Sequence, residues 1–351
     1  MLTTERLEMI LQRIPQLTLG VVGDIFLDEY LELESTITEK SLETGLDAYQ
    51  VKAIRRSPGA AGTILNNLQS LGVGKLFILT FIGNDGRGHD LKQALSQKNI
   101  DTSYLLETPL RATPTYTKPL LFASDGSHQE LNRLDIRNYS PTPPSVEQYI
   151  LDHLPKLWQS VDALVILDQV SLSDTGVITG GVRQLLHDLG EDNPRKLLLA
   201  DSRERIEHFY SCWTKPNLME CLRAASGSTS DAELAVMSLA HRLKRPVFCT
   251  RGEMGILLAD TFAIAKDCVG SKHLELTQVP GYPVGGPVDV VGAGDSTSAG
   301  IACAYAAGAT LLEAATFGNL IASITVQQIG TTGCATAEQV RERWQQVTLR
   351  N

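Results

Sequence analysis

Pro287–Ala307 reads PVDVVGAGDSTSAGIACAYAA: an apolar approach, a turn of Gly292, Ala293 and Gly294, then Asp295 and a small-residue helical run. With almost no side chain at three successive positions, the backbone can bend sharply and a ligand can approach consecutive amides. Those amides would open a helix, whose free N–H groups and positive dipole end favour phosphate, and a phosphoryl group in transfer still more. Asp295 is out of character in a plain anion site, because its carboxylate repels phosphate. Two readings account for it: a base that takes a proton from an attacking hydroxyl, or a side-chain helix cap.

The pattern Asp289-x-x-Gly292-Ala293-Gly294-Asp295 resembles the C-terminal signature of the ribokinase-like (PfkB) carbohydrate kinases. That resemblance implies Asp295 as catalytic base and the amides of Gly292, Ala293 and Gly294 as an anion hole. It implies an α/β, Rossmann-like ribokinase fold, with a mostly parallel central sheet flanked by helices and a small β-lid. Val291 stands where the family usually has Thr or Ser.

Composition bounds the alternatives. The 351 residues are 43% hydrophobic and 20% charged, ample for a globular core. A formal charge of −9 with no run of Lys or Arg argues against nucleic acid or an anionic membrane as partner. Cys212, Cys221, Cys249, Cys268, Cys303 and Cys334 form no C-x-x-C pair, which fits a reducing cytoplasm, and the dispersed histidines give no H-E-x-x-H zinc motif. The N-terminal MLTTERLEMILQRIPQL, with Glu5 and Glu8, reads as neither signal peptide nor membrane span.

Leu7, Ile10, Leu11 and Ile14 predict an amphipathic helix ended by Pro15, and Leu17 to Val22 a strand stopping at Gly23-Asp24. Ligands gather beyond such strand ends, and a carboxylate there can accept two hydroxyls. No G-x-G-x-x-G follows, against a dinucleotide site. Gly23-Asp24-Ile25-Phe26-Leu27-Asp28-Glu29-Tyr30 is most similar to the kinase module of bacterial heptose 7-phosphate kinases, which implies that Asp24 binds acceptor hydroxyls; Asp24 and Asp28 also read as turn or cap residues.

Residues 31–56, polar and in part alternating, predict exposed antiparallel strands, with a long disordered loop as the other reading; together with 113–135 they form the expected β-lid, which some members of the family use for dimerisation. Pro58-Gly59-Ala60-Ala61-Gly62-Thr63 to Asn67 resembles the N-terminal signature, implying substrate contacts from Gly59, Thr63 and Asn67. Two departures are plain: Ala60 replaces a glycine, and Thr63 replaces the sugar-binding Asn. The helix that follows should end at Gly72; Gly83 to Gly88 is a structural turn into a helix over 89–98. Thr115–Phe122 and Gln129–Leu134 predict a hairpin turning at Asp125-Gly126. The same resemblance implies that Arg133 meets a phosphate on the sugar; a surface ion pair is the alternative.

From Ser145 the chain alternates: helix to Leu154, strand 163–167, helix 175–189 closed by Gly190, strand 196–200. Asp168 and Asp201 follow strands on the ligand edge; Asp201 to Arg205 resembles a nucleotide-phosphate segment, implying a role for Arg203 or Arg205, or is a solvated charge run. Asn217-x-x-Glu220 resembles the family's N-x-x-E motif, implying water-mediated Mg2+ and nucleotide contacts; positions three apart share a helix face. Ser230-x-x-Glu233, Thr310-x-x-Glu313 and Thr336-x-x-Gln339 read as capping boxes. Thr250, Gly252 and Gly255 resemble the T-x-G-x-x-G nucleotide loop, or form a simple hairpin turn. Asn319 and Gly330 echo the adenine pocket, and Asp289 the monovalent cation (K+) site.

The resemblance covers roughly residues 17–345, and a single domain of 1–351 is expected. It implies an ATP- and Mg2+-dependent kinase acting on a sugar or sugar phosphate; a nucleoside kinase and a weakly catalytic sensor of nucleotide or sugar remain alternatives. The sequence stops at Asn351, so the nucleotidyltransferase domain often joined to heptose kinases is not expected.

Overall fold

The computed structural model describes residues 2–123, 125, 127–225, 229–262, 274–330 and 332–349; Cys268, Ser124 and Gly126 fall outside these. A ten-stranded sheet forms the centre. Thr18–Gly23 lies between Ala163–Asp168 and Lys75–Gly83, parallel to both, and the parallel order continues through Leu198–Ser202, Trp213–Thr214 and Val247–Thr250. Two antiparallel strands, Ile256–Asp260 and Glu275–Val279, close one edge.

Near-continuous apolar runs make these strands, because both faces are covered. Leu19, Val21 and Ile78 join one core, while Val22, Phe77 and Leu79 join the other. Ile78 and Leu79 are both fully buried, and each contributes roughly 1.5–3 kcal/mol.

The lid is a five-stranded sheet. Ile25–Glu34 pairs antiparallel with Val51–Ala60 and parallel with Thr115–Phe122. The predicted partner of Thr115–Phe122 is split into His128–Glu130 and Leu134–Ile136.

Several boundaries differ from the sequence reading for local reasons. Asp85 caps the helix Gly86–Ser96, which so begins before residue 89. Pro144–Ser160 runs through Pro155 and past Leu154. Gly190 lies inside Gly180–Asp192 instead of closing it: a Cβ there would come within 2.3 Å of the Ser211 carbonyl, so close packing requires the glycine. Asp231, not Ser230, caps Ala232–Leu243, whereas the Thr310 and Thr336 boxes form as expected. No described helix is long and apolar enough to cross a membrane.

Candidate active site

The turn at residues 289–292 is set by Asp289, whose two carboxylate oxygens accept from the amides of Val291 and Gly330, both at 3.0 Å. Both oxygens of the expected cation ligand are therefore already committed to backbone. Gly292 follows with φ +80° and ψ 0°, a conformation natural to glycine, and the helix Ala293–Ala306 starts there without a side-chain cap. Asp295 is thus not the cap. Its carboxylate accepts no hydrogen bond from the described protein and stands in the first turn of the helix. Of the three expected anion-hole amides, Ala293 N–H closes a turn onto Val290 O at 3.1 Å. The amides of Gly292, Gly294 and Asp295 have no acceptor within the described protein.

Four charged groups face Asp295. Burial, then Asp201 and, more weakly, Asp28 raise its pKa to about 7, against the pull of Lys215 and Arg203. Lys215 is buried, with Nζ 3.0 Å from Asp201 Oδ2, and a Cβ on Gly294 would sit 3.5 Å from the same Nζ. Burial alone would lower the lysine pKa, but Asp201, Glu220 and Asp295 outweigh it and the net shift is upward, so the cation is kept. A fixed ammonium and free amides beside an uncommitted carboxylate can stabilise a moving anionic group while a base takes a proton.

Asn217 and Glu220 form a reciprocal capping box: Glu220 Oε2 accepts from Asn217 N at 2.7 Å, and Asn217 Oδ1 accepts from Glu220 N at 2.9 Å. One oxygen of Glu220 remains, and burial followed by Asp201 raises its pKa. Thr250 adjoins this cap, its amide donating to Pro216 O at 2.9 Å. Gly252 (φ +57°) and Gly255 (φ +81°) shape the turn between two antiparallel strands, so the hairpin reading describes their backbone. Asn319 donates to the carbonyls of Val279 and Pro280, each at 3.1 Å, tying the edge strand to the helix Leu311–Thr325.

On the acceptor side the two N-terminal aspartates differ. Asp24 is buried, and its oxygens accept from the amides of Gln169, Val170 and Val177; burial and Asp168 push its pKa up to about 6. It holds the loop 169–177 and lines a cavity of about 240 Å³ with Phe26, Phe81, Tyr116, Arg137 and Arg203. Asp28, unlike Asp24, is among the charges that act on Asp295. A Cβ on Gly59 would collide with its carboxylate at 2.4 Å, so Gly59 makes the room Asp28 occupies. Lys118 Nζ lies 3.5 Å from it, and burial raises its pKa against Lys118 and Arg133. Arg133 pairs with Asp135 at 2.6 Å while stacking 4.4 Å over Tyr116, so the ion pair and a position near Asp28 hold together.

Thr63 is buried, its methyl 3.6 Å from where a Gly292 side chain would begin, which brings the two glycine-rich motifs into contact. Asn67 is buried and donates to Thr63 O at 3.0 Å, bracing the helix. Ala60 adopts φ +53° and ψ −115°, a conformation suited to the glycine it replaces. Exposed Arg203 faces Asp295, whereas Arg205 is committed to Asp168 at 2.7 Å. Lys215 and Lys118 were not singled out from sequence; the readable signal for Lys215 was a lysine directly after a buried strand and before Pro216-Asn217.

Known proteins resemble this chain in sequence and in fold. The bifunctional protein HldE of Pelobacter propionicus is 27% identical over 339 residues, covering 95% of this chain and 64% of that protein. HldE of Caulobacter vibrioides is 27% identical over 340 residues, covering 92% of this chain and 64% of its own. The chain therefore spans under two thirds of the length of these relatives. Among solved structures, Arabidopsis thaliana ribokinase, complexed with ribose and ATP, superposes with a TM-score of 0.64 at 18% identity, covering 93% of this chain and 98% of that one. Escherichia coli phosphofructokinase-2, in complex with potassium, gives 0.67 at 17% identity over 95% and 99%. Residues 35–338 match the pfkB family of carbohydrate kinases as a whole, and the chain belongs to that family.

Proposed function

We propose that this chain is an ATP-dependent kinase that phosphorylates a hydroxyl of a sugar phosphate of the heptose phosphate kind, with Asp295 as general base. The observation that carries this is the uncommitted Asp295 carboxylate, held at a pKa of about 7 beside free amides and Lys215. The acceptor hydroxyl gives its proton to Asp295 as its oxygen bonds to the γ-phosphorus. The bond from that phosphorus to the β-phosphate bridging oxygen breaks, and ADP leaves. The amides of Gly292 and Gly294 and the Lys215 ammonium meet the negative charge on the transferring group.

Asp28 is the better placed carboxylate for the acceptor, because both Asp24 oxygens are taken by backbone. Lys118 and Arg133 beside Asp28 favour an acceptor that carries its own anion. Among the described residues no three His, Cys, Asp or Glu side chains form a ligating cluster. The free Glu220 oxygen, with Asp201 near, suits a hydrated Mg2+ held through water, which would neutralise the nucleotide phosphates. A K+ ion near Asp289 would rely on backbone oxygens, given that carboxylate's two amide bonds.

ADP release measured over a panel of hexoses, heptose phosphates and nucleosides tests the reading. Transfer to a sugar phosphate is expected. Turnover confined to nucleosides, or ATP and sugar binding with no ADP formed, would overturn it.

A further inference from the structure

The cavity of about 240 Å³ that Asp24 lines adjoins the acceptor side, and its chemistry is different. Phe26, two residues before Asp28, projects from the same face of the strand Ile25–Glu34, and Tyr116 stands directly opposite Asp28 in the parallel register. The two rings meet edge to face at 5.0 Å. Arg203 also lines the cavity and is one of the charges acting on Asp295. A molecule filling this space therefore lies beside both the acceptor carboxylate and the base, which makes it part of the acceptor. Most of the wall is apolar: Ile25, Phe26, Phe81, Pro114, Val170 and Val177. Four polar members are spent on the protein itself. Both Asp24 oxygens accept from amides, Arg137 pairs with Asp135 at 2.7 Å, Asn138 bonds the Ala112 backbone through both amide atoms, and Thr175 donates to Leu172 O at 3.0 Å. The side chains left without a hydrogen bond among the described residues, those of Gln169, Ser171, Arg203 and the two tyrosines, are all half-exposed or exposed. Tyr139 and Leu172, 72% and 47% exposed, stand at the mouth on two separate segments. A ligand hydroxyl sunk against Phe81 and Val177 would go unpaired, at a cost that an apolar group avoids. An apolar cavity of roughly 150 Å³ already holds benzene, so this one has room for a phenyl ring or a short alkyl chain.

We propose that the acceptor carries an apolar substituent, an aryl or short alkyl group, which this cavity takes while the sugar keeps its hydroxyls toward Asp28 and Asp295. The assignment rests on the kinase reading above and narrows its substrate from a sugar phosphate to a hydrophobically substituted one. Tyr139 and Leu172 cover the substituent at the mouth, so binding removes their exposed apolar surface from water together with the ligand's own.

Calorimetric titration of the full chain with phenyl β-D-glucoside 6-phosphate and with glucose 6-phosphate tests this, alongside ADP release after ATP is added. Leu172→Asn and Tyr139→Asn remove apolar contacts at the mouth without adding charge, and both positions are exposed enough for the fold to be kept. The phenyl compound should bind at least tenfold more tightly than glucose 6-phosphate. That ratio should fall toward one in each variant, with ATP binding unchanged. Equal binding of the two compounds, binding of neither, or a ratio that neither variant lowers would overturn the proposal. The kinase reading fails in a different way. If the expected ratio appears but no member of the acceptor panel yields ADP, the apolar site stands and the kinase reading falls; ADP formed from both compounds with equal kcat/KM has the reverse meaning.

Discussion

Replacing Asp295 by Asn should make the protein more stable in mild base while removing its activity. The carboxyl has an ordinary pKa of 3.8 and is raised to about 7 in the folded chain, first by burial and then by Asp201. Between those two values the unfolded chain has released this proton and the folded chain has kept it, so stability falls as pH rises. The contribution is complete below the unfolded pKa and lost once pH passes about 7. A displacement of that size corresponds to about 4 kcal/mol as an upper limit. The side chain keeps some contact with solvent, which screens the charge, so about 2 kcal/mol is the working figure. Urea unfolding of both proteins at pH 8 and pH 4 measures it directly. The substituted amide has no charge to bury, so the variant should gain about 2 kcal/mol, or roughly 3–5 °C in melting temperature, at pH 8. The gain should vanish near pH 4. Equal stability at pH 8, or a variant weaker there, would refute the view that the fold holds this carboxylate at a cost.

Three further outcomes follow from particular residues. Ala60→Gly should stabilise the chain by roughly 0.5–1 kcal/mol in the same assay, because relief of the Cβ at φ +53° exceeds the added chain entropy. Arg205→Ala should cost about 3 kcal/mol, since it strands buried Asp168 without its partner at 2.7 Å. Lys215→Met should lower kcat on the order of a hundredfold in a coupled ADP assay, with a smaller effect on the acceptor KM, because Lys215 lies beside Gly294 and Asp295, where the proposed reaction puts the transferring group.

Much of the fold was legible because buried parallel strands leave unbroken apolar runs, as at Leu76 to Ile82, and glycine-rich turns mark their ends. The lid was legible as exposed strands but not in its pairing. Parallel contact of Ile25–Glu34 with Thr115–Phe122 is a long-range register, and no local pattern encodes it. The anion turn could be read from Gly292 to Asp295 because its residue types are constrained one by one. The surroundings of the two aspartates could not. Whether a carboxylate faces the site depends on neighbours far along the chain: Gly59 clears space for Asp28, while the loop 169–177 turns its amides onto Asp24. Asn217 and Glu220 show the same limit, since one spacing serves a shared helix face and a capping box alike, and here the box forms.

The central claim is that Asp295 takes the acceptor proton, and the pH dependence of kcat/KM for wild type and Asp295→Asn tests it most directly. The wild type should gain about tenfold per pH unit below pH 7 and level off above it, following a carboxyl that must lose its proton to act. The variant should bind ATP normally and transfer at least a thousandfold more slowly, on the order of what a lost base costs, with that pH step gone. Transfer by the variant within a few fold of wild type, or an unchanged pH step, would contradict the account.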